Sequence, residues 1–155
     1  MVITVSTRAA AGERPDTTGP LIVEALKDWG FTLYPKVVVP DGDGIESALK
    51  AAVNSKVALV VTTGGTGISP TDRTPEATAA LLDKTLFGLS AQIVARGVDN
   101  GVPEAVLSRG LAGVCGTTLV VNLPGSPGGV KDGLAVLEKV LPHAIGQIAG
   151  EDHEQ

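Results

Sequence analysis

Apolar residues along the 155-residue chain fall into two kinds of pattern that take turns. The first kind is a short, unbroken, mostly β-branched run: Val2-Ile3-Thr4-Val5-Ser6, Leu33 to Val39, Val57-Ala58-Leu59-Val60-Val61, and Thr118-Leu119-Val120-Val121-Asn122-Leu123. Runs of this length without polar alternation suit strands buried on both faces, as in a parallel sheet between helices. The second kind recurs every three to four residues and predicts helices with one apolar face. It is carried by Leu21, Ile22, Ala25, Leu26 and Trp29, then by Ile45, Ala48, Leu49, Ala52 and Val53. It returns in Ala79, Leu82, Leu86, Leu89, Ile93 and Val94, and last in Leu134, Leu137, Val140 and Leu141. The helix from Pro75 is expected to bend or divide at Leu86-Phe87-Gly88-Leu89, and the last helix to start near Val130, break at Pro142 and resume to Ala149. Pro103 to Gly110 reads as a short helix closing on glycine, and Ala112–Cys115 with the run from Thr118 reads as a β-hairpin or a pair of adjacent strands. Alternating strands and helices predict a three-layer α/β/α sandwich with a mostly parallel central sheet, one domain over residues 1–150, and a polar tail over 151–155.

The chemistry gathers where strands end. The run from Val57 leads into Thr63-Gly64-Gly65-Thr66-Gly67, then Ile68-Ser69-Pro70-Thr71-Asp72-Arg73, then Thr74-Pro75-Glu76, a helix start with Thr74 as N-cap and Pro75 at the first helical position. In open α/β sheets ligands bind outside the carboxyl ends of the strands, where this loop must lie. Clustered glycines permit positive φ and let a ligand reach successive backbone N–H groups, a concavity suited to anionic oxygens. No Gly-Lys dipeptide follows, as a Walker A loop requires, and no helix opens directly on the glycines, as a dinucleotide fingerprint requires. A tight turn without a ligand is the alternative for the glycines alone.

Two further strand ends look alike. Pro40-Asp41-Gly42-Asp43-Gly44 puts Asp41 on the same rim as Asp72, unless Asp41 and Asp43 serve only the following helix dipole. Pro124-Gly125-Ser126-Pro127-Gly128 feeds a helix N-terminus, where phosphate is favoured. Asp16, just before the Gly19-Pro20 helix start, reads either as a helix-start cap or as a ligand group.

Net charge is −5 and the isoelectric point about 4.9, which argues against non-specific nucleic-acid binding. No apolar run approaches membrane-spanning length, and no signal peptide precedes the first strand, so a cytoplasmic protein is expected. The lone Cys115 cannot form an internal disulfide. His143 and His153 lack neighbours at zinc-ligand spacing, and no G-x-S-x-G occurs.

Thr63-Gly64-Gly65-Thr66-Gly67, Ser69-Pro70, Asp72 and Thr74-Pro75-Glu76-Ala77 together resemble the signature of the molybdenum-cofactor biosynthesis domain, which includes the molybdopterin adenylyltransferases of the MogA/MoaB type. The resemblance runs through most of the chain. Ser6, Gly12, Asp16, Thr18, Gly19 and Pro20 match the family's first motif, where Thr7 departs from a frequent Asp. Val39-Pro40-Asp41, Leu107-Ser108-Arg109 and Leu123-Pro124-Gly125-Ser126-Pro127 match later ones. Ala91 and Val94 stand where many members have an acid and an arginine.

The resemblance implies Mg²⁺- and ATP-dependent adenylylation of molybdopterin with release of pyrophosphate. It assigns Asp41 and Asp72 to the catalytic, metal-holding role. Substrate binding is implied for Ser6, Arg8, Gly12, Asp16, Thr63, Gly64, Gly65, Thr66, Gly67, Ser69, Thr74, Pro75, Glu76, Ser108, Arg109, Pro124, Gly125 and Ser126, with Arg8 and Arg109 as candidates to neutralise phosphate. A homo-trimer is implied too, with a downstream molybdenum-insertion enzyme as a further partner. Two alternatives stand beside this: a pterin- or nucleotide-binding paralogue without adenylylation, and a structural or carrier oligomer whose loops are only turns.

Overall fold

The computed structural model describes residues 1–151, so of the expected polar tail only Glu151 lies within the described residues. Strands β1 (Val2–Val5), β2 (Val37–Val39), β3 (Leu59–Thr63), β4 (Lys84–Thr85), β5 (Ala112–Cys115) and β6 (Thr118–Leu123) form one sheet in the order β2-β1-β3-β6-β5-β4. The four strands β2, β1, β3 and β6 run parallel, and β5 and β4 extend the sheet antiparallel. Helices α1 (Thr7–Ala10), α2 (Gly19–Asp28), α3 (Gly44–Asn54), α4 (Thr74–Ala79), α5 (Phe87–Asp99) and α6 (Pro127–Ile148) connect them. Among the described residues no helix is long and apolar enough to cross a membrane.

Period-2 geometry sends alternate strand residues to opposite faces, and this divides the apolar runs between two cores. Val2, Leu59, Val61, Leu119, Val121 and Leu123 pack under α2, α5 and α6 with Ile22, Leu26, Ile93 and Leu137. Ile3, Val5, Val60 and Val120 face the other way, onto Ile45, Leu49 and Ala52 of α3. The result is the expected three-layer arrangement with a mostly parallel sheet.

Four expectations need correction. The second strand is only Val37–Val39, because Pro35 has no N–H to pair and the preceding Phe31 and Leu33 pack on the larger core instead. The helix from Pro75 stops at Ala79, and residues 83–86 pair with the sheet edge through Asp83 N–H to the Val114 carbonyl (2.8 Å) and Leu86 N–H to the Ala112 carbonyl (2.7 Å) before α5 begins. Helix α6 starts at Pro127 and continues through Pro142 without a break. Leu137 and Leu141 on one side and Ala144 and Ile148 on the other hold it to the core, which offsets the one hydrogen bond that proline removes. Finally, Thr74 lies inside α4 and Arg73 holds the N-cap position.

Candidate functional site

The carboxyl ends of β2, β1, β3 and β6 lie side by side, and the four loops that leave them form one rim. At β1, Ser6 caps α1 by accepting from the Ala9 N–H at 3.2 Å. At β2, Asp41 is fixed by Thr7: Asp41 Oδ2 accepts from the Thr7 hydroxyl (2.9 Å) and N–H (3.3 Å), and the Asp41 N–H donates back to Thr7 Oγ1 at 3.1 Å. Asp41 is therefore held by a neutral partner rather than spent on capping α3.

At β3, Gly64 and Gly65 take φ of +96° and +66°. A Cβ on Gly64 would meet the Val5 carbonyl at 2.2 Å, so the turn packs against β1 too closely for a side chain. The Gly64 N–H donates to the Leu123 carbonyl (3.1 Å) and Thr63 Oγ1 to the Pro124 carbonyl (2.8 Å), which ties this loop to the one leaving β6. Thr74, fully buried, donates its hydroxyl to the Gly64 carbonyl at 3.0 Å. Further along, Asp72 Oδ2 accepts from the Ser69 N–H at 3.0 Å. At β6, Ser126 caps α6 by accepting from the Gly129 N–H at 3.1 Å.

Two cavities open on this rim and share Gly65, Asp72 and Gly125. The smaller, about 210 Å³, collects Ser6, Asp16, Thr63, Gly64 and both Asp41 and Asp72, together with Thr4, Thr18 and Arg14. The larger, about 540 Å³, is lined by Thr66, Gly67, Ser108, Pro124 and Ser126, and walled by Ile93, Val94, Gly97, Val102 and Ala105. Val94, at a position where many members of the resembled family have arginine, thus forms part of an apolar wall, whereas Ala91 lines neither rim cavity.

Other candidate residues stand outside both cavities. Arg8 is exposed on α1, and Gly12, at φ +74°, turns the chain after that helix. Ser69, Pro75 and Glu76 support the loop without lining a cavity. Arg109 is committed to protein acceptors: Nε donates to the Gly67 carbonyl at 2.8 Å, Nη2 to the Asp72 carbonyl at 2.9 Å, and Nη1 to the Glu76 carboxylate. Neither Arg8 nor Arg109, the two candidates to neutralise phosphate, lines a rim cavity, and Arg109 latches the Asp72 loop. The hydrogen bond from Arg109, with help from a backbone N–H, holds the Glu76 carboxyl below its ordinary value.

Asp16 is a helix-start cap, accepting from the Thr18 and Gly19 N–H groups at 3.3 and 2.9 Å. The same carboxylate accepts from Thr4 Oγ1 at 2.8 Å and from Lys36 Nζ at 2.6 Å. Burial alone would raise its pKa, but the bonds from Lys36, Gly19 and Thr4 outweigh that and hold it below 3.8.

Sequence reasoning missed Asn122. Its Nδ2 donates to Thr62 Oγ1 and Thr78 Oγ1, both at 3.0 Å, and its Oδ1 accepts from the Leu111 N–H at 3.0 Å. This buried node pins α4, and with it the Asp72 loop, to β3 and β6. The only available signal was a polar residue inside an apolar run.

A divalent cation fits this chemistry in one form. Among the described residues no group of three or more His, Cys, Asp or Glu side chains could enclose a metal. Asp41 and Asp72 nonetheless line one cavity, and each has one oxygen, Oδ2, engaged by a neighbouring N–H. Two hard carboxylates, with the remaining positions filled by water and substrate phosphate, suit Mg²⁺.

Residues 1–143 match the family described as "Probable molybdopterin binding domain". A protein of Pyrococcus furiosus named "Molybdopterin adenylyltransferase" is 40% identical over 149 residues, 93% of this chain and 87% of that one. A "Molybdenum cofactor biosynthesis bifunctional protein" of Synechococcus elongatus is 39% identical over 153 residues, 98% of this chain. The chain spans 48% of the length of that relative and 25% and 22% of the Drosophila melanogaster and Dictyostelium discoideum relatives. Among solved structures, the molybdopterin biosynthesis Mog protein from Mycobacterium ulcerans superposes with a TM-score of 0.91 at 53% identity, covering 95% of this chain and 96% of that one.

Proposed function

The chain belongs to the molybdopterin-binding domain family, and from that premise we propose that it is a molybdopterin adenylyltransferase acting in molybdenum-cofactor biosynthesis with Mg-ATP. The observation that carries this reading is the shared rim. Two carboxylates, Asp41 and Asp72, face one cavity with the Gly64–Gly65 turn, and the N-terminal loop of α6 adjoins it. A terminal phosphate oxygen of molybdopterin attacks the α-phosphorus of ATP; the bond to the bridging oxygen of the β-phosphate breaks, and pyrophosphate leaves. Such chemistry is dominated by positioning and charge neutralisation. Bound Mg²⁺ would neutralise phosphate charge and orient the leaving group. Asp41 and Asp72 are the side chains that would hold it, while the backbone N–H groups left unpaired in the Gly64–Gly67 and Pro124–Gly128 loops would donate to phosphate oxygens. ATP-dependent pyrophosphate release on addition of molybdopterin is the deciding experiment, and no release above the pterin-free background refutes the proposal.

One observation favours a second reading. Val94 turns the wall of the larger cavity apolar, which suits a paralogue that binds pterin or nucleotide without transferring AMP. Binding of ATP with no pyrophosphate release would select it.

The same reading takes the protein as a cytoplasmic homo-trimer that hands its product to a downstream molybdenum-insertion enzyme. Exposed Phe87, Val98, Val106 and Leu107 on and beside α5 supply an apolar surface for the subunit contact.

A further inference from the structure

The geometry points to Arg14 as the side chain that recognises the polyphosphate group in the smaller rim cavity, a role that rests on the nucleotide reading above. The argument starts from charge. Among the described residues the two rim cavities together are lined by five carboxylates, Asp16, Asp41, Asp72, Glu104 and Asp132, and by a single Lys or Arg side chain, Arg14. Asp16 is already paired with Lys36 at 2.6 Å, and a divalent cation would compensate only Asp41 and Asp72. A polyphosphate entering an acidic protein of net charge −5 therefore needs a further cation.

The other arginines do not serve. Arg8 is exposed outside both cavities, and Arg109 spends its guanidinium on three protein acceptors. Arg73 and Arg96 line neither cavity. Arg14, in contrast, has no ion pair or hydrogen-bonded side-chain partner among the described residues, so its five donors remain available to a ligand.

Its placement is set by backbone, not by side-chain contacts. Behind it, the Gly12 N–H donates to the Ala9 carbonyl (3.1 Å) and the Glu13 N–H to the Arg8 carbonyl (2.9 Å). Ahead of it, Pro15 has a fixed φ and biases Arg14 towards extended backbone, and Asp16 is anchored on Thr4 and α2. A side chain that lines the cavity from a braced loop, with its planar fork unused, is suited to bidentate phosphate contact.

The experiment uses calorimetry with inorganic pyrophosphate and, separately, AMP, each with Mg²⁺, on the full chain and on Arg14→Gln and Arg14→Lys. The parent should bind pyrophosphate; Arg14→Gln should weaken it about tenfold and flatten its salt dependence, Arg14→Lys should recover part of the loss, and AMP affinity should move less than about twofold. Thermal unfolding of Arg14→Gln should match the parent, since the side chain holds no protein partner. Pyrophosphate affinity in Arg14→Gln within twofold of the parent, or no pyrophosphate binding by the parent, overturns the assignment. If that happens while the parent still releases pyrophosphate from ATP and molybdopterin, this assignment fails and the adenylyl-transfer reading stands. If binding falls in Arg14→Gln but the parent releases none, the assignment stands and adenylyl transfer fails.

Discussion

A Cβ placed on Gly65 would stand 2.3 Å from the hydroxyl oxygen of Thr74, the same hydroxyl that donates to the Gly64 carbonyl. Gly65, at φ +66°, also has Val5 Cγ1 3.2 Å and Asp41 Oδ1 3.4 Å from that point. The turn is thus tight beneath as well as open above. Gly65→Ala should lower stability by about 2 kcal/mol, from the positive φ and from displacing a buried hydroxyl. Combining it with Thr74→Ala should give a loss smaller than the sum of the two single variants, because the clash disappears with the hydroxyl. Denaturant melts of the three variants measure this; strict additivity would show that Thr74 is not what the new methyl meets.

Arg109 should behave as a latch. Arg109→Ala releases the Gly67 and Asp72 carbonyls, and Arg109→Lys supplies no planar fork to span both. Either should lower stability by about 1–2 kcal/mol, or about 3–6 °C in Tm for a chain of this size. Glu76→Gln should cost much less, since that carboxylate is 52% exposed and screened by water. A Glu76→Gln loss equal to that of Arg109→Ala would place the anchor in the ion pair instead of the carbonyls.

Asp72→Asn keeps shape and removes charge, so the Ser69 N–H retains an oxygen acceptor and the fold should survive. Under the proposed reaction Mg-ATP turnover should fall by about two orders of magnitude or more. Turnover within a few-fold of the parent would remove Asp72 from the metal-facing role and leave Asp41 alone in it.

Asp16 predicts an acid limb. Its folded pKa lies below the ordinary 3.8, so the unfolded chain takes up the proton first. The stability it contributes is present above pH 3.8 and disappears as pH falls through the depressed folded value. Asp16→Asn should lower stability at neutral pH by about 1–3 kcal/mol and flatten the slope below pH 4. An unchanged acid limb in urea melts would contradict the Lys36 and α2 contacts as its source.

Light scattering should find a homo-trimer at micromolar concentration. Phe87→Glu, at a position 74% exposed in the isolated chain, should shift the mass towards the monomer; a monomeric parent would refute the assembly.

The strand ends were legible because β-branched runs and the Pro-Asp, Gly-Gly and Pro-Gly punctuation are local signals. What the chain did not disclose is set by distant partners. Residues 83–86 leave the helical pattern because β5 offers their N–H groups carbonyls. Pro142 is tolerated because residues on both sides of it are packed. Asp16 as a cap was readable from its distance to Gly19-Pro20, but its pairing with Lys36, twenty residues away, was not. Arg109 stands out in the sequence through Leu107-Ser108-Arg109 and Arg14 does not, and only the fold shows that Arg109 is engaged by three protein acceptors while Arg14 lines the smaller cavity without a side-chain partner.

The strand order has a consequence for biogenesis. β6 lies between β3 and β5, yet it leaves the ribosome after every other strand of this sheet. Until it does, β3 presents an unpaired apolar edge next to β1, and the helices lack the Leu119, Val121 and Leu123 side chains they pack on. Such an edge recruits other strands readily. Nascent chains halted before Thr118 should therefore engage chaperones or aggregate, whereas chains extended past α6 should fold this domain, with the rim loops closing together once β6 is in place.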